Sequence, residues 1–252
     1  MEKKGQITVF VIIGIVIVTL IVLLYAFRSK ISVPFLQVNL QDEMQQVRGE
    51  IQDCLENSAA GPVERIGLQG GYLSTPPGSY RLFNDTTISY LCFNQAGKPT
   101  CTNRLLTIDS MEEQLSNAIE EALPECLEVD VSGGVELQLP DNYKVQTDIQ
   151  ASKVVVTLDY PITLISNRDG DELTETEFSA TVQAPLGDLY EVAMDIVDSE
   201  ATGGRFDVLT YVLSKMSKYT IYPHKPYPDK LYQIKLREGN YLFQMAVEDE
   251  PG

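Results

Sequence analysis

The chain contains a single histidine, no Cys-x-x-Cys pair, and only 19 Lys and Arg residues against 36 Asp and Glu residues. A structural zinc site built from Cys and His side chains is therefore not expected. The sequence also lacks a Gly-x-Ser-x-Gly elbow, a His-Glu-x-x-His pair, a glycine-rich phosphate loop and a dinucleotide fingerprint, which mark common enzyme classes. We therefore expect no catalytic residues, no cofactor and no resident metal.

The acidity of the chain lies almost entirely after its first 30 residues. Residues 31–252 carry 15 Lys+Arg and 35 Asp+Glu, a formal charge of −20. A domain of this charge is repelled by nucleic acid and by the anionic cytoplasmic face of a membrane. We expect neither as a partner. The composition does not separate adaptation to a saline habitat from an ordinary solvated surface.

One uninterrupted apolar run, residues 7–27, decides the class of the protein. Its 21 positions would form a helix of roughly 32 Å, enough to cross a hydrocarbon core of about 30 Å. The run contains no charged residue and ends in Tyr25-Ala26-Phe27-Arg28, an aromatic and basic flank typical of a membrane interface. We predict a single-pass transmembrane helix that contacts membrane lipid through residues 7–27.

The orientation of this helix is not fixed by the basic residues beside it. Lys3 and Lys4 precede the run, and Arg28 and Lys30 follow it. The acidic C-terminal part, the four cysteines and the sequon Asn84-Asp85-Thr86 all suit an extracytoplasmic, oxidising compartment. We therefore predict a cytoplasmic N-terminus and an extracytoplasmic domain, with Asn84 as a glycosylation candidate.

The segment Lys3-Lys4-Gly5-Gln6-Ile7-Thr8, which leads straight into the apolar run, resembles the class III leader junction of archaeal type IV pilin-like proteins. The resemblance implies that a membrane peptidase cuts after Gly5, so that Gln6 begins the mature chain. It covers only about a tenth of the chain. Phe10 stands where pilins of this family usually carry a glutamate that registers subunits, so filament assembly does not follow from the resemblance alone.

Three stretches further along the chain resemble uncharacterised single-pass archaeal membrane proteins that carry this kind of anchor. They are Asp53-Cys54-Leu55-Glu56, residues 66–73 and residues 123–127. The resemblance extends over most of the chain. It implies an architecture and carries no activity.

Hydrophobic periodicity predicts helices after the apolar run. Apolar residues spaced three or four apart predict an amphipathic helix that Ala60-Gly61-Pro62 ends or interrupts, namely Leu36, Leu40, Met44, Val47, Ile51, Cys54 and Leu55. Its stripe indicates either the core-facing side of a packed helix or a coiled coil between subunits. Ser110 and Glu113 form a capping box, which predicts a helix that begins at Asp109 or Ser110 and stops at Pro124.

Alternating or β-branched runs predict the strands of a largely antiparallel sheet with helices packed against it, so the fold class is α+β. The expected strands are residues 88–93, 105–108, 135–139, 153–165, 176–184, 231–236 and 241–247, and further helices are expected at residues 186–197 and 206–216. The chain then divides into a cytoplasmic leader-like segment (1–6), the transmembrane helix (7–27), a juxtamembrane amphipathic helix (28–60) and an extracytoplasmic α+β domain (61–252).

The four cysteines are candidates for structural disulfides. Cys92 and Cys101 enclose a turn-like segment that one bridge would close, and the second bridge would then join Cys54 to Cys126. Four cysteines allow three pairings, and the sequence does not choose among them.

Asn167, Asp169 and Asp171 place oxygen ligands at alternate positions around Gly170, as in the first half of a calcium loop. Phe178 stands where a full loop would end in a bidentate glutamate, and strands are predicted on both sides. The pattern favours a hairpin turn with solvated acids over a calcium site.

The segment from Tyr219 to Tyr232 concentrates four tyrosines, three prolines and the only histidine. Tyrosine supplies a large contact area at low entropic cost, so Tyr222, Tyr227 and Tyr232 are candidate contacts for a protein or glycan partner. The alternative is an extended loop whose tyrosines cover the edge of the core.

These patterns predict a single-pass, membrane-anchored cell-surface protein with a structural or interaction role, acting on a protein partner or by self-association. The alternative is a pilin-like subunit, cleaved after Gly5 and assembled into a surface filament. An extracellular hydrolase with an unrecognised site is a third option, because a chain with 36 carboxylates contains many acid pairs.

Overall fold

The computed structural model describes residues 13–19, 21–22, 39–95, 100–203 and 205–248. The chain divides into two compact units, Met1–Asn39 and Leu40–Gly252. Residues 13–19 and 21–22 of the first unit are helical. Among the residues described, no helix combines the length and the apolar character needed to cross a membrane. The leader candidates Gly5 and Gln6, and most of the predicted transmembrane run, lie outside the described residues.

The second unit has the predicted α+β class. Its elements in chain order are helix α1 (Leu40–Leu68), strands β1 (Tyr80–Phe83), β2 (Thr86–Phe93) and β3 (Thr102–Asn103), helix α2 (Ile108–Ala122), strands β4 (Val135–Gln138), β5 (Lys144–Ile149), β6 (Val154–Ser166) and β7 (Glu172–Val182), helices α3 (Leu186–Ala201) and α4 (Val208–Ser214), and strands β8 (Tyr219–His224), β9 (Lys230–Leu236) and β10 (Phe243–Val247).

The strands form two mostly antiparallel sheets. The larger sheet has the order β1-β2-β10-β9-β8, with β3 also paired to β2, and its parallel pair is β2 with β10. In the smaller sheet β6 is central, with β7 on one side and β4 and β5 on the other. Pro161 of β6 sits at a register shift between Asp159 and Ile162, where β5 has ended and β4 has not begun. Its missing N–H therefore breaks no ladder hydrogen bond.

Helix α1 is the element that both sheets share. Its buried face consists of Met44, Val47, Ile51, Cys54, Leu55, Ala59, Val63, Ile66 and Gly67. This face begins with the predicted apolar stripe and identifies α1 as a core-facing helix within its own chain. Near its middle, Gln52 Nε2 donates to the Ser179 carbonyl of β7 at 3.1 Å, and Arg48 forms an ion pair with Glu175. The helix therefore lies along the outer edge of β7.

The C-terminal end of α1 is fixed against β10 and the residues before it. Tyr241 Oη donates to the Val63 carbonyl at 2.6 Å, and Gln244 Nε2 donates to the Leu68 carbonyl at 3.4 Å. Burial raises the pKa of Tyr241, as expected for a hydroxyl enclosed between two elements.

The predicted end of this helix at Ala60-Gly61-Pro62 is wrong, because α1 continues to Leu68 with Pro62 inside it. A proline inside a helix costs about 3 kcal/mol. Full burial of an aliphatic side chain contributes about 1.5–3 kcal/mol, and both Val63 and Ile66 are buried in the turn that follows. The tertiary contacts therefore outweigh the local penalty.

The start of α2 also differs from the prediction. The helix begins at Ile108, and Thr107 caps it, since Thr107 Oγ1 accepts the N–H of Ser110 at 3.3 Å. The predicted capping box at Ser110 is therefore one turn late, and no strand forms over residues 105–108. The end is as predicted, because α2 stops at Ala122 and a short 3₁₀ turn containing Pro124 follows.

Four of the observed strands were not predicted, namely β1, β3, β5 and β8. The segment from Tyr219 to Tyr232, for which an extended loop was one of two alternatives, forms β8, a turn and the start of β9. Tyr219 is paired with Leu236, and His224 is paired with Leu231. The β6–β7 hairpin and the β9–β10 pair confirm the corresponding predictions.

Because α1 approaches Tyr241 and Leu242 closely at Gly67, a methyl group added at this position should destabilise the domain. A Cβ at Gly67 would lie 2.6 Å from Tyr241 Oη and 2.8 Å from the Leu242 carbonyl oxygen. We expect Gly67→Ala to lower the free energy of unfolding by roughly 1–3 kcal/mol, because overpacking forces backbone shifts. The measurement is urea unfolding of the full chain in detergent micelles, followed by circular dichroism.

Gly49→Ala is the matched control on the same helix, since a Cβ there meets no atom within 4 Å. Alanine is a better helix former than glycine by about 1 kcal/mol, so this change should stabilise the chain. Effects of equal sign at Gly49 and Gly67 would contradict the close approach of α1 to Tyr241.

Candidate binding groove

Helix α4 is short and carries an exposed apolar face. Asp207 caps it, accepting the Thr210 N–H at 3.1 Å and the Thr210 hydroxyl at 2.7 Å, and these bonds lower the pKa of Asp207. Leu209, Leu213 and Met216 lie four and three residues apart and are 69%, 64% and 94% exposed. Large apolar side chains grouped on one exposed face are typical of surfaces that bind other molecules.

The turn after α4 holds Met216 in solvent. Met216 and Ser217 have φ angles of 54° and 58°, in the left-handed region, although neither is glycine. Ser217 N–H donates to the Val212 carbonyl at 2.9 Å, which closes the end of the helix. Left-handed backbone costs a non-glycine residue roughly 1–2 kcal/mol. The chain therefore keeps an exposed methionine at a strained turn beside Leu213.

Strand β8 is an edge of the larger sheet, and among the described strands it pairs only with β9. The Lys218 carbonyl accepts the Arg237 N–H at 3.0 Å, so every second residue from Lys218 turns its backbone groups towards β9. Pro223, which has no N–H, falls in the opposite set. The N–H groups of Tyr219 and Ile221 therefore point to the open edge.

A groove runs between α4 and this edge, and we call it the α4–β8 groove. Its larger cavity has a volume of about 520 Å³ and is lined by α4 and by residues 219–221 of β8. A second cavity of about 340 Å³ shares Val208 and Leu209 with the first and reaches Pro223 and Lys225. Since successive strand residues point to opposite faces, a wall made of three consecutive residues is the edge of the strand.

The charge around the groove is opposite in sign to that of the whole chain. Residues 205–237 carry seven Lys+Arg and two Asp+Glu, whereas the chain has a formal charge of −17. Three of the lysines form ion pairs with carboxylates of α3, at N–O distances of 3.9, 2.7 and 2.8 Å: Lys215 with Asp195, Lys218 with Asp188 and Lys230 with Glu200. The hydrogen bond to Asp188 raises the pKa of Lys218.

Four cations in this region form no ion pair within the part of the chain that the structure describes: Arg205, Lys225, Lys235 and Arg237. Arg237 lines the larger cavity, and Arg205 and Lys225 line the smaller one. We call these three lining residues the basic rim. Because Arg237 lies beside the first residues of β8 and Lys225 directly follows its last, cations flank both ends of the strand.

The smaller cavity also contains a buried, fully paired carboxylate. Glu200 is 8% exposed, and its two oxygens accept hydrogen bonds from Lys230 Nζ and Tyr232 Oη, both at 2.8 Å. A buried charge with a paired cation and a second donor is a structural element. The pair of Glu200 with Lys230 adds no net charge to the groove. The three cations of the basic rim outnumber the one other lining carboxylate, Asp207, so the rim sets the sign of the potential there.

The structure places the three candidate tyrosines in different environments. Tyr222 and Tyr227 are 49% and 93% exposed, on β8 and in the following turn. Tyr232 is only 4% exposed, and its hydroxyl donates to Glu200. The proposal of Tyr232 as a partner contact is therefore corrected, because core packing removes its ring from the surface.

The four cysteines form two disulfides, which selects one of the three possible pairings. Cys54 of α1 is bonded to Cys126 after α2, with Cα atoms 5.6 Å apart, and Cys92 of β2 is bonded to Cys101, with Cα atoms 5.2 Å apart. The first bridge ties the two helices that cover the smaller sheet.

The sequon residue Asn84 lies exposed at the tip of the β1–β2 hairpin. Asn84 and Asp85 have φ angles of 48° and 61°, the conformation of a two-residue type I′ turn. The side chain of Asn84 therefore stays open to solvent and to modifying enzymes.

The candidate calcium residues Asn167, Asp169 and Asp171 lie in the β6–β7 turn. Backbone hydrogen bonds close this turn, with Ser166 N–H donating to the Asp171 carbonyl at 2.9 Å. A hydrogen bond from the Ser166 side chain lowers the pKa of Asp169. Across the described residues, no group of three or more His, Cys, Asp or Glu side chains is placed to hold a metal ion.

The exposed face of α4 and the basic rim were not predicted from the sequence. The apolar residues of the predicted helix 206–216 have helical spacing, which does not separate buried from exposed positions. The local excess of Lys and Arg over residues 205–237 was a readable signal, which the total charge of the chain conceals.

Comparison of the chain with protein-family models, with curated proteins and with solved structures finds no match. The geometry of the groove and the charges around it are therefore the basis for assigning a function.

Because Tyr232 donates a hydrogen bond to buried Glu200, we expect two tyrosine substitutions to have unequal effects on the free energy of unfolding. Tyr232→Phe removes a donor to buried Glu200 and should lower the free energy of unfolding by roughly 1.5–3 kcal/mol. Tyr222→Phe is the control, because its exposed ring should tolerate loss of the hydroxyl within about 0.5 kcal/mol. Urea unfolding of the full chain in micelles measures both, and a Tyr232→Phe variant as stable as the control would contradict the assigned hydrogen bond.

Proposed function

We propose that this chain is a single-pass, membrane-anchored protein whose extracytoplasmic domain binds an acidic segment of a protein partner in the α4–β8 groove. The observation that carries the proposal is the basic rim around an apolar groove on a chain of formal charge −17. A positive patch on a negative surface directs acidic partners to one place and excludes others.

The anchor is supported by the apolar run of residues 7–27, of which residues 13–19 and 21–22 are helical. The extracytoplasmic side is supported by the two disulfides, which form and persist in oxidising compartments. A domain as acidic as residues 31–252 is also repelled by the anionic cytoplasmic leaflet.

Binding is favoured over catalysis by the chemistry of the groove. Its walls combine apolar side chains of α4 with the backbone edge of β8, and its charged groups are the paired Glu200 and Lys230, the helix cap Asp207 and the cations of the basic rim. This arrangement recognises a ligand by shape and charge. It provides no activated nucleophile for a hydrolytic step.

The test uses the full chain in nanodiscs of zwitterionic lipid and a fluorescein-labelled peptide, Glu-Glu-Val-Thr-Val-Thr-Val-Glu-Glu. Fluorescence anisotropy measures its Kd. We expect this peptide to bind, and the same peptide with lysine in place of glutamate not to bind. The triple variant Arg205→Glu, Lys225→Glu, Arg237→Glu should weaken binding by about tenfold or more, because each exposed ion pair contributes about 0.2–1 kcal/mol.

The matched control reverses three cations of the smaller sheet and its turn: Lys144→Glu, Lys153→Glu and Arg168→Glu. It changes the total charge by the same amount, so the Kd should stay within about twofold if the rim acts locally. Equal weakening in both triple variants would contradict a local site. Equally tight binding of an oligothymidylate of the same charge would contradict a polypeptide partner.

A second candidate function is a pilin-like filament subunit, favoured by the junction Lys3-Lys4-Gly5-Gln6 before the apolar run. Intact mass of the protein purified from its native membrane, with and without reductant and alkylation, separates the two. If the chain is a membrane-anchored protein, we expect the mass of the uncleaved chain and no alkylated thiol in the absence of reductant. A mass lacking residues 1–5 would make the filament subunit the function, and four alkylated thiols without reductant would contradict the extracytoplasmic domain.

A further inference from the structure

We infer that the partner's acidic segment binds as an added β-strand, with its backbone paired to Tyr219 and Ile221 at the open edge of β8. The inference rests on the proposed function and specifies how the same groove is filled. In such a complex backbone hydrogen bonds provide affinity, and alternate side chains provide specificity.

At two other strand edges, side chains of a neighbouring helix form hydrogen bonds with the outward-facing backbone groups. At β5, Glu112 accepts the Ile149 N–H at 2.8 Å, and Glu120 accepts the Val145 N–H at 3.3 Å. At β7, Gln52 donates to the Ser179 carbonyl at 3.1 Å. In both cases the helix beside the edge supplies polar side chains of the required kind.

The edge of β8 has no such polar side chains among the groove-lining residues of the helix beside it. The α4 side chains that line the groove beside it are Val208, Leu209 and Val212, none of which can accept or donate a hydrogen bond. An edge with unpaired backbone groups is a template for another strand. The apolar α4 wall leaves that template unsatisfied, and its cavity has room for the side chains of an added strand.

The position of the added strand follows from the open backbone groups. The N–H groups and carbonyls of Tyr219 and Ile221 face outwards, and Pro223 supplies only a carbonyl, so the row of donors ends there. The six residues of β8 span roughly 20 Å. The occupant is therefore a segment of about five or six extended residues.

The side chains of the occupant follow from the walls of the groove. Alternate residues of an added strand point to one face, and those on the α4 side enter the apolar cavity of about 520 Å³. The basic rim places Arg237 at one end of β8 and Arg205 with Lys225 at the other. The partner segment is thus an extended stretch with apolar residues at every second position and acidic residues at both ends.

A second copy of this chain fits the edge less well than a partner of opposite charge. Two β8 strands paired antiparallel around a two-fold axis would bring Arg237 of each copy to Arg205 and Lys225 of the other. Like charges at both ends of such a pair oppose it. The occupant is therefore a segment of a different, acidic protein.

The experiment is an N-methyl scan of the acidic peptide used above, on the full chain in nanodiscs. Each of the five central residues is methylated in turn at its backbone nitrogen, which removes the donor and blocks close pairing. We expect alternation: methylation at every second position weakens binding about tenfold or more, and methylation between them changes the Kd by less than about twofold. This period of two is specific for pairing along one strand edge.

Hydrogen exchange at single-residue resolution provides the readout on the protein. The amides of Tyr219 and Ile221 should exchange at least about tenfold more slowly when the peptide is bound. The amides of Thr220 and Tyr222, which face β9, serve as internal controls and should not change. No substitution in β8 is needed, so the result does not depend on a variant that fails to fold.

The outcomes separate this inference from the proposed function. Binding that depends on the basic rim but shows neither alternation nor protection of Tyr219 and Ile221 would overturn strand addition and leave the proposed function standing. No binding of the acidic peptide would overturn both. A dimer in light scattering without peptide, with Tyr219 and Ile221 already protected, would show that a second copy occupies the edge and would overturn the inference.

Discussion

The buried face of α1 is the constraint on which the domain depends. One helix covers the edge of β7, packs against α2 through Cys54 and the bridge to Cys126, and ends against β10 through Tyr241. Without it the smaller sheet would lose the cover of its β7 edge, and the two sheets would lose a shared neighbour. Because so much apolar area depends on one continuous face, the helix persists through Pro62, where local propensity alone would end it.

This arrangement leaves the two ends of the larger sheet unequal. The short strand β1 contacts the last residue of β8 and the turn after it, since the ring of Phe83 lies 5.3 Å from that of His224 and Arg81 forms an ion pair with Asp229 at 2.7 Å. Strand β8 lies at the other end, beside a seven-residue helix with an exposed apolar face. The proposed binding edge is thus two strands away from β10, the strand of the larger sheet against which α1 ends.

The sequence was informative where one local pattern decides the outcome and uninformative where neighbours decide it. The α1 stripe, the β6–β7 hairpin and the end of α2 at Pro124 follow from periodicity and turn chemistry. Strand β8 was missed because Pro223 argues against a strand, although proline is tolerated on an edge. The groove could not be predicted, because the partial burial of Val212 and the exposure of Leu213 depend on tertiary contacts and not on helical spacing.

Net charge is a poor guide to a site whose local sign differs from it. At physiological salt the Debye length is about 8 Å, so carboxylates more distant than this contribute little at the groove. The basic rim can therefore attract an acidic ligand to a chain of formal charge −17. Charge alone would suit any polyanion. The open edge of β8 selects among them, because only a polypeptide in extended form presents N–H and carbonyl groups at the two-residue repeat of Tyr219 and Ile221.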